Sequence, residues 1–407
     1  MAMNRHKYII IVPDGMADYP IPELGGKTIL QTAKTPNMDF LVSNGVIGTV
    51  QTVPEGFTPG SDVANLSALG YDPSRYYTGR APLEAANIGV ELGKRDAAYR
   101  CNLVTLAEGR MKDFSAGHIS TAEAAELIRY LEEKIGNDDC HFYPGTSYRH
   151  LMVWSGGKTA AVCTPPHDIS GQAFSPHLPT GPGADFLIGL MEKSQKLLEE
   201  HPVNENRIRM KKPPANSIWL WGQGLRPTLP KFYEQYQIRG GIISAVDLLK
   251  GIGIYLGLKV IHVPGATGYL DTNYSGKAEY ALAALKDLDF VFIHIEAPDE
   301  AGHNGDIEAK IQAVEDVDRL VIGKIIQGLK SFPMHHIMVL PDHYTPISKR
   351  THTGEPVPFC IYSSDGQPSS EANIISFDEP TANKSALKFF NGPELMAFFL
   401  KGKIMHV

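Results

Sequence analysis

Tyr8-Ile9-Ile10-Ile11-Val12 is an unbroken apolar run that ends in Pro13-Asp14-Gly15. A strand with one wet face alternates apolar and polar residues, whereas an unbroken β-branched run belongs to a strand covered on both faces. The pattern returns at Phe290-Val291-Phe292-Ile293-His294-Ile295 and at His336-Ile337-Met338-Val339-Leu340. Ile218-Trp219-Leu220-Trp221 and Lys259-Val260-Ile261-His262-Val263 are further strand candidates. Helical periodicity fits 35–44, 62–69, 241–257, 276–286 and 306–330. The last of these places Ile307, Ile311, Val314, Val317, Leu320, Val321 and Ile325 on one stripe. Alternating strands and helices predict an α/β fold, an open and mostly parallel sheet sandwiched by helices. Ligands of such sheets gather beyond the carboxyl ends of the strands, where Asp14, Asp299 and Asp342 all fall.

The middle of the chain reads differently. Between about 80 and 215 the segments are polar and alternating, with one well-marked helix at 120–135 that Ser120 caps, and Pro-rich stretches at 164–182 and 213–214. A length of 407 residues exceeds one ordinary core. The expected organisation is therefore a discontinuous domain of residues 1–80 and 215–407, with a smaller α/β domain of residues 81–214 inserted in it.

Composition narrows the function. With 38 basic against 45 acidic residues the net charge is −7, which gives no support for wrapping nucleic acid. No apolar run approaches the roughly 20 residues that span a bilayer. The polar start Met1–Lys7 passes directly into a strand and is unlike a signal peptide. Four cysteines in so long a chain do not make a disulfide framework, so a reducing cytoplasm is expected.

The chemistry concentrates at the strand ends. Asp299 and His303 are four residues apart, which one turn of helix would bring onto a common face. A solvated loop acid with a capping histidine is the plainer alternative. His352, in His-Thr-Gly, is a third candidate ligand. Asp342-His343 follows a buried strand, and its side chains diverge to reach an ion and its surroundings from one loop. Asp14 is followed by Gly15, where the chain must turn, and an Asx-turn is the alternative there. The metal reading gains weight because Asp14, Asp299 and Asp342 each follow a core-like strand, and histidines accompany two of them.

Ser61 is the candidate nucleophile. Gly60 lets the backbone approach a ligand, and the helix beginning at Asp62 offers free N–H groups to an anion. Thr58 and Ser61 serving only as a helix cap is the alternative. A neighbouring divalent ion would favour loss of the serine proton. No Gly-rich nucleotide loop or Walker-type lysine precedes Ser61, which argues against an ATP-dependent small-molecule kinase. His294 and Glu296 read as strand-end packing or support behind the ligands.

Taken together, Pro13-Asp14-Gly15, Thr35-Pro36-Asn37-Met38-Asp39, Gly60-Ser61-Asp62, Pro298-Asp299 with Gly302-His303, Asp342-His343 and His352-Thr353-Gly354 resemble the alkaline phosphatase superfamily. Gly79-Arg80-Ala81-Pro82-Leu83-Glu84-Ala85-Ala86, Cys101-Asn102-Leu103-Val104, Ser115-Ala116-Gly117-His118-Ile119-Ser120 and Ile218-Trp219-Leu220-Trp221-Gly222 narrow the resemblance. They point to the archaeal-type 2,3-bisphosphoglycerate-independent phosphoglycerate mutases, over nearly the full length. The resemblance implies an alkaline-phosphatase-like fold and two divalent metals, manganese foremost, with magnesium, zinc or cobalt as substitutes. One metal would be held by Asp14, Ser61, Asp342 and His343, and the other by Asp299, His303 and His352. It implies no 2,3-bisphosphoglycerate cofactor, and it implies that the inserted domain handles substrate and acts as a lid. His118 and Asp168 would move protons, and Arg80, Arg149 and Lys277 would bind substrate. His167 departs from the pattern of the longer bacterial mutases. The implied reaction interconverts 3-phosphoglycerate and 2-phosphoglycerate through phosphoserine. A metal-dependent phosphomonoesterase or another phosphomutase is the competing reading, and a noncatalytic binding module a more distant one.

Overall fold

The computed structural model describes residues 6–366 and 376–401; Met1–Arg5 of the polar start lie outside them. The chain forms two compact units, one of Met1–Tyr77 with Leu229–Val407 and one of Thr78–Thr228. Among the described residues no helix is long and apolar enough to cross a membrane.

The described part of the larger unit carries an eight-stranded sheet. Its order is Lys388–Phe389, Val46–Val50, Val357–Ser363, His335–Val339, Lys7–Pro13, Phe290–Ile295, Gly240–Ile243, Lys259–Val260. Lys7–Pro13 is buried along its whole length and pairs in parallel on both sides, Ile11 facing Ile293 and Val339. Double coverage explains why this strand and Phe290–Ile295 show no polar alternation. Val357–Ser363 runs antiparallel to both neighbours, so the sheet is mixed but mostly parallel.

The helical region from 306 to 330 forms as two α-helices, Ile307–Asp316 and Gly323–Leu329, joined through a π-helical turn at Val317–Ile322. Val314, Val317, Val321 and Ile325 enter the core, with Ile307, Ile311 and Leu320 half-buried against it. The π turn contains buried Asp318, whose carboxylate accepts from the Asn37 and Met38 backbone N–H groups. An acid from another element thus caps the Pro36–Ser43 helix, because Thr35 makes no side-chain cap.

Two expectations need correction here. Residues 241–243 are strand, not helix, and the helix is confined to Asp247–Leu256. A short apolar run fits either period, and Gly240 lets Leu258 and Phe290 close against the strand. The second concerns Ile218–Trp221, expected in the larger domain. It lies in Ser217–Leu225, which pairs with Ala97–Ala107 inside the smaller unit, so that unit extends to Thr228.

The smaller unit is built on Ala97–Ala107, flanked antiparallel by Arg149–Trp154 and Ser217–Leu225, with Arg110–Asp113 and Cys140–Thr146 completing the sheet. Thr121–Ile135 begins with Ser120 and Glu123 in a reciprocal capping box. The expectation of one well-marked helix falls short, since Arg80–Asn87, Ala184–Glu199 and Pro202–Arg209 are helical too.

Candidate active site

Three neighbouring parallel strands of the larger unit, ending at Val339, Pro13 and Ile295, deliver the acids to one sheet edge. Asp14 follows its strand directly, and Asp342 stands three residues beyond Val339. Asp299 lies in the Ala297–Asn304 helix, whose first turn accommodates Pro298. Four-residue spacing on that helix brings His303 Nε2 to 3.2 Å from Asp299 Oδ2. From the other side His352 Nε2 reaches 3.4 Å from Asp299 Oδ1 and 2.9 Å from His303 Nε2.

The second group surrounds Asp14. His294 Nε2 is 2.9 Å from Asp14 Oδ2, and His343 Nε2 is 3.5 Å from both Asp14 Oδ1 and Asp342 Oδ2. Ser61, first residue of the Ser61–Ala68 helix, donates from Oγ to Asp14 Oδ2 at 3.3 Å and lies 3.3 Å from His343 Nε2. Its side chain makes no helix-capping bond, so the cap reading of Ser61 is set aside. Asp342 is braced by the Gly15 and His343 N–H groups and by Asn65 Nδ2 at 2.7 Å.

Among the described residues, three overlapping clusters can hold a cation: Asp299, His343 and His352; Asp14, His294 and Asp342; and Asp14, Glu296 and Asp299. His343 therefore stands between the two implied ligand sets. Its ring centre is 4.1 Å from that of His352.

The electrostatics of the site fit divalent ions. Burial, with the carboxylates of Asp342, Asp299 and Glu296, pushes the Asp14 carboxyl well above the usual carboxylate range. Burial also opposes ionisation of Asp299, but hydrogen bonds from His303 and His352 outweigh it and hold that carboxyl well below its usual value. Burial lowers His294 to about 4, leaving a neutral imidazole beside Asp14. Asp14 Oδ1 is buried with no hydrogen-bond partner among the described residues. Crowded acids, the imidazoles of His294 and His343 that burial keeps neutral, and an orphaned carboxylate oxygen match the hard oxygen and nitrogen donors of manganese or zinc.

The smaller unit gathers most of the remaining candidates on a chain of touching rings. His118 is exposed and packs edge-on to Tyr148. Tyr148 meets Phe114, Phe114 meets His167, and His167 meets Trp221. Asp168, also exposed, adjoins His167. His118 has a left-handed backbone, φ 48°, uncommon for a residue with a Cβ. Asp113 and Ser115 hold it there by accepting from the Gly117 and His118 N–H groups. Arg80 and Arg100 both bond Glu84, at 3.1 Å and 2.9 Å. Their guanidinium groups and that of Arg149 hold the Glu84 carboxyl below its usual value despite burial. Three guanidinium groups around one carboxylate leave an excess of positive charge.

Lys277 differs from these. It lies in the larger unit, fully buried, with Nζ donating to the His294 carbonyl at 3.0 Å.

A family model described as 2,3-bisphosphoglycerate-independent phosphoglycerate mutase matches residues 43–204. A protein of that name from Methanosarcina barkeri is 53% identical over 399 residues, covering 98% of this chain and 100% of the relative. The chain belongs to the 2,3-bisphosphoglycerate-independent phosphoglycerate mutase family. A probable mutase of this type from Geobacter sulfurreducens is 53% identical and covers 97% of the chain and 99% of the relative. Among solved structures, a Pyrococcus horikoshii protein superposes with TM-score 0.81 at 30% identity, covering 100% of both chains. The cofactor-independent phosphoglycerate mutase of Thermoplasma acidophilum gives TM-score 0.65 at 27% identity, covering 97% of this chain and 99% of its own.

Within this mutase framework, sequence reasoning passed over Arg100, Asn65 and Thr345. Arg100 had a usable signal, a lone charge in the apolar strand 97–104. It is buried, and its guanidinium lies 4.3 Å from the Trp221 ring centre.

Proposed function

We propose that this chain interconverts 3-phosphoglycerate and 2-phosphoglycerate through a phosphoserine at Ser61. The observation that carries the reading is Ser61 Oγ at 3.3 Å from both Asp14 Oδ2 and His343 Nε2, at the amino end of a helix. Asp14, Asp342, His343 and Ser61 would hold one divalent ion, and Asp299, His303 and His352 the other, with His294 orienting Asp14. Manganese is the proposed physiological ion. Bound there, the ions would offset charge on the transferring phosphoryl group and favour ionisation of the serine hydroxyl.

The remaining roles belong to the chain itself. Ser61 Oγ attacks phosphorus in line, its proton facing Asp14 Oδ2, while the N–H groups of Ser61 and Asp62 at the amino end of the helix donate to phosphoryl oxygens. Arg80, Arg149 and Arg100 hold the glycerate carboxylate. His118 or Asp168 protonates the departing hydroxyl and later takes the proton from the hydroxyl that attacks phosphoserine. Two in-line displacements leave phosphorus with its original configuration. Lys277, bonded to the His294 carbonyl, supports the substrate site from behind in this reading. The free cysteines accord with work in the cytoplasm.

The test is product analysis on 3-phosphoglycerate with a manganese series after chelation. Signal in an enolase-coupled assay, with little free phosphate, supports the mutase; stoichiometric phosphate release without 2-phosphoglycerate would replace it with a phosphomonoesterase.

A further inference from the structure

We propose that Thr345 is a positioning residue that locks the two ligand groups into one geometry. This rests on the reading that both groups hold metal. Thr345 is wholly buried, and its Oγ1 donates to Asp299 Oδ1 while lying 3.3 Å from His343 Nδ1. A hydroxyl has one proton. With that proton directed to Asp299, the second contact requires His343 to donate from Nδ1–H to Thr345 Oγ1. The tautomer follows: His343 Nε2 carries the lone pair, aimed at the space shared by Ser61, Asp14 and Asp342. One hydroxyl thus sets the proton placement of His343 and the orientation of Asp299, which belong to different implied ligand sets.

The rest of the residue is held as firmly. Its carbonyl accepts from Lys310 Nζ at 2.8 Å, and Lys310 is itself wholly buried. Lys310 also bonds Asp18 Oδ2 at 2.8 Å and the Ala17 carbonyl at 3.3 Å, while Asp18 receives the Ile347 N–H. This buried pair clamps the backbone at the Thr345 carbonyl and just beyond it at Ile347.

Two glycines give way to the same side chain and carbonyl. A Cβ on Gly15, whose φ is +59°, would stand 2.3 Å from Thr345 Oγ1; one on Gly302 would stand 2.5 Å from the Thr345 carbonyl oxygen. Gly15 adjoins Asp14, and Gly302 adjoins His303. The loops bearing Asp14 and Asp342 with His343, and the helix bearing Asp299 with His303, therefore all close around Thr345. Hydrogen bonds behind metal ligands fix ring orientation and ligand basicity, and their loss typically costs roughly 10–100-fold in metal affinity.

Thr345→Val keeps the shape and removes the hydroxyl, and Thr345→Ser keeps the hydroxyl. Stepwise Mn²⁺ binding to chelator-stripped enzyme, followed by calorimetry, should weaken roughly 10–100-fold in T345V at one or both steps and recover in T345S. Metal-free T345V should melt below wild type, because His343 Nδ1–H loses its buried partner, and T345S should melt near it. Histidine ¹⁵N spectra of metal-free wild-type enzyme should show His343 protonated at Nδ1. That measurement stands even if T345V does not fold. Unchanged Mn²⁺ affinity in T345V, failure of T345S to restore it, or His343 protonated at Nε2 would each overturn the assignment. Wild-type enzyme that takes up fewer than two Mn²⁺ would instead defeat the two-metal reading beneath it.

Discussion

His303 and His352 point their Nε2 atoms at each other across 2.9 Å, each with Nδ1 facing a main-chain carbonyl, Arg350 at 3.0 Å and Pro59 at 3.4 Å. Without an ion both rings donate from Nε2 toward the Asp299 carboxylate, and although burial opposes it, that contact raises His303 to about 9. A bound cation would take the place of those protons, each Nε2 then offering it a lone pair while Nδ1 donates to the main chain. His303→Ala should therefore lower bound Mn²⁺ by one equivalent after dialysis, measured by elemental analysis. Chelation should lower the melting temperature of wild type by several degrees, and Mn²⁺ should restore it.

Ser61→Ala should separate binding from chemistry. The ligand carboxylates and imidazoles remain, so metal content and substrate binding should persist. Turnover should fall roughly 10³-fold or more, and no phosphoenzyme should be trapped from labelled 3-phosphoglycerate by acid quench. Near-normal turnover in this variant would remove the covalent route.

On the smaller unit, His118→Ala should lower kcat roughly 10²–10⁴-fold with metal content unchanged. Arg149→Ala removes an exposed guanidinium and should act mainly on substrate affinity, raising KM about tenfold. Steady-state kinetics alongside metal analysis distinguishes the two effects.

Glu379 gives a pH prediction away from the reacting atoms. Burial pushes its carboxyl up to about 7 from 4.5, against the lowering effect of hydrogen bonds from the Thr28 hydroxyl and Asp18 N–H. With the folded-state value above the unfolded one, protonation favours the fold. The contribution of Glu379 to stability is therefore most favourable below about 4.5, declines as pH rises toward about 7, and is flat above it. Glu379→Gln removes the charge, its Oε1 still accepting from the Asp18 N–H while Nε2 donates to the Thr28 hydroxyl, as the protonated acid would. It should match wild type near pH 4.5 and exceed it at pH 8 by at most about 3 kcal/mol, read from denaturant unfolding at both pH values.

The parts of the site legible in the sequence are those whose local pattern matches their burial. Tyr8–Val12 and Phe290–Ile295 are covered on both faces, so their apolar runs mark the sheet centre and the acids that follow mark its reactive edge. Val46–Val50 and Val357–Ser363 were not legible: Gly48 and Pro358 interrupt them, and their pairing depends on distant partners. The Ala184–Glu199 helix lacks a side-chain cap, since Gly183 precedes it, and it follows a Pro-rich stretch that reads as loop. Thr345 carries no local signal. A threonine two residues beyond His343 acquires its meaning only when the loop bearing Asp14 and the helix bearing Asp299 fold onto it.

Because Asp14, Asp342 and the Asp299 helix all issue from adjoining strands, the spacing of the three acids is inherited from the backbone ladder, whose neighbours stand roughly 4.8 Å apart. The pleated sheet works as a ruler for the reaction. Surface loops can lengthen or diverge without altering that measure, whereas a slip of one strand by a single residue would throw the acids out of reach of each other.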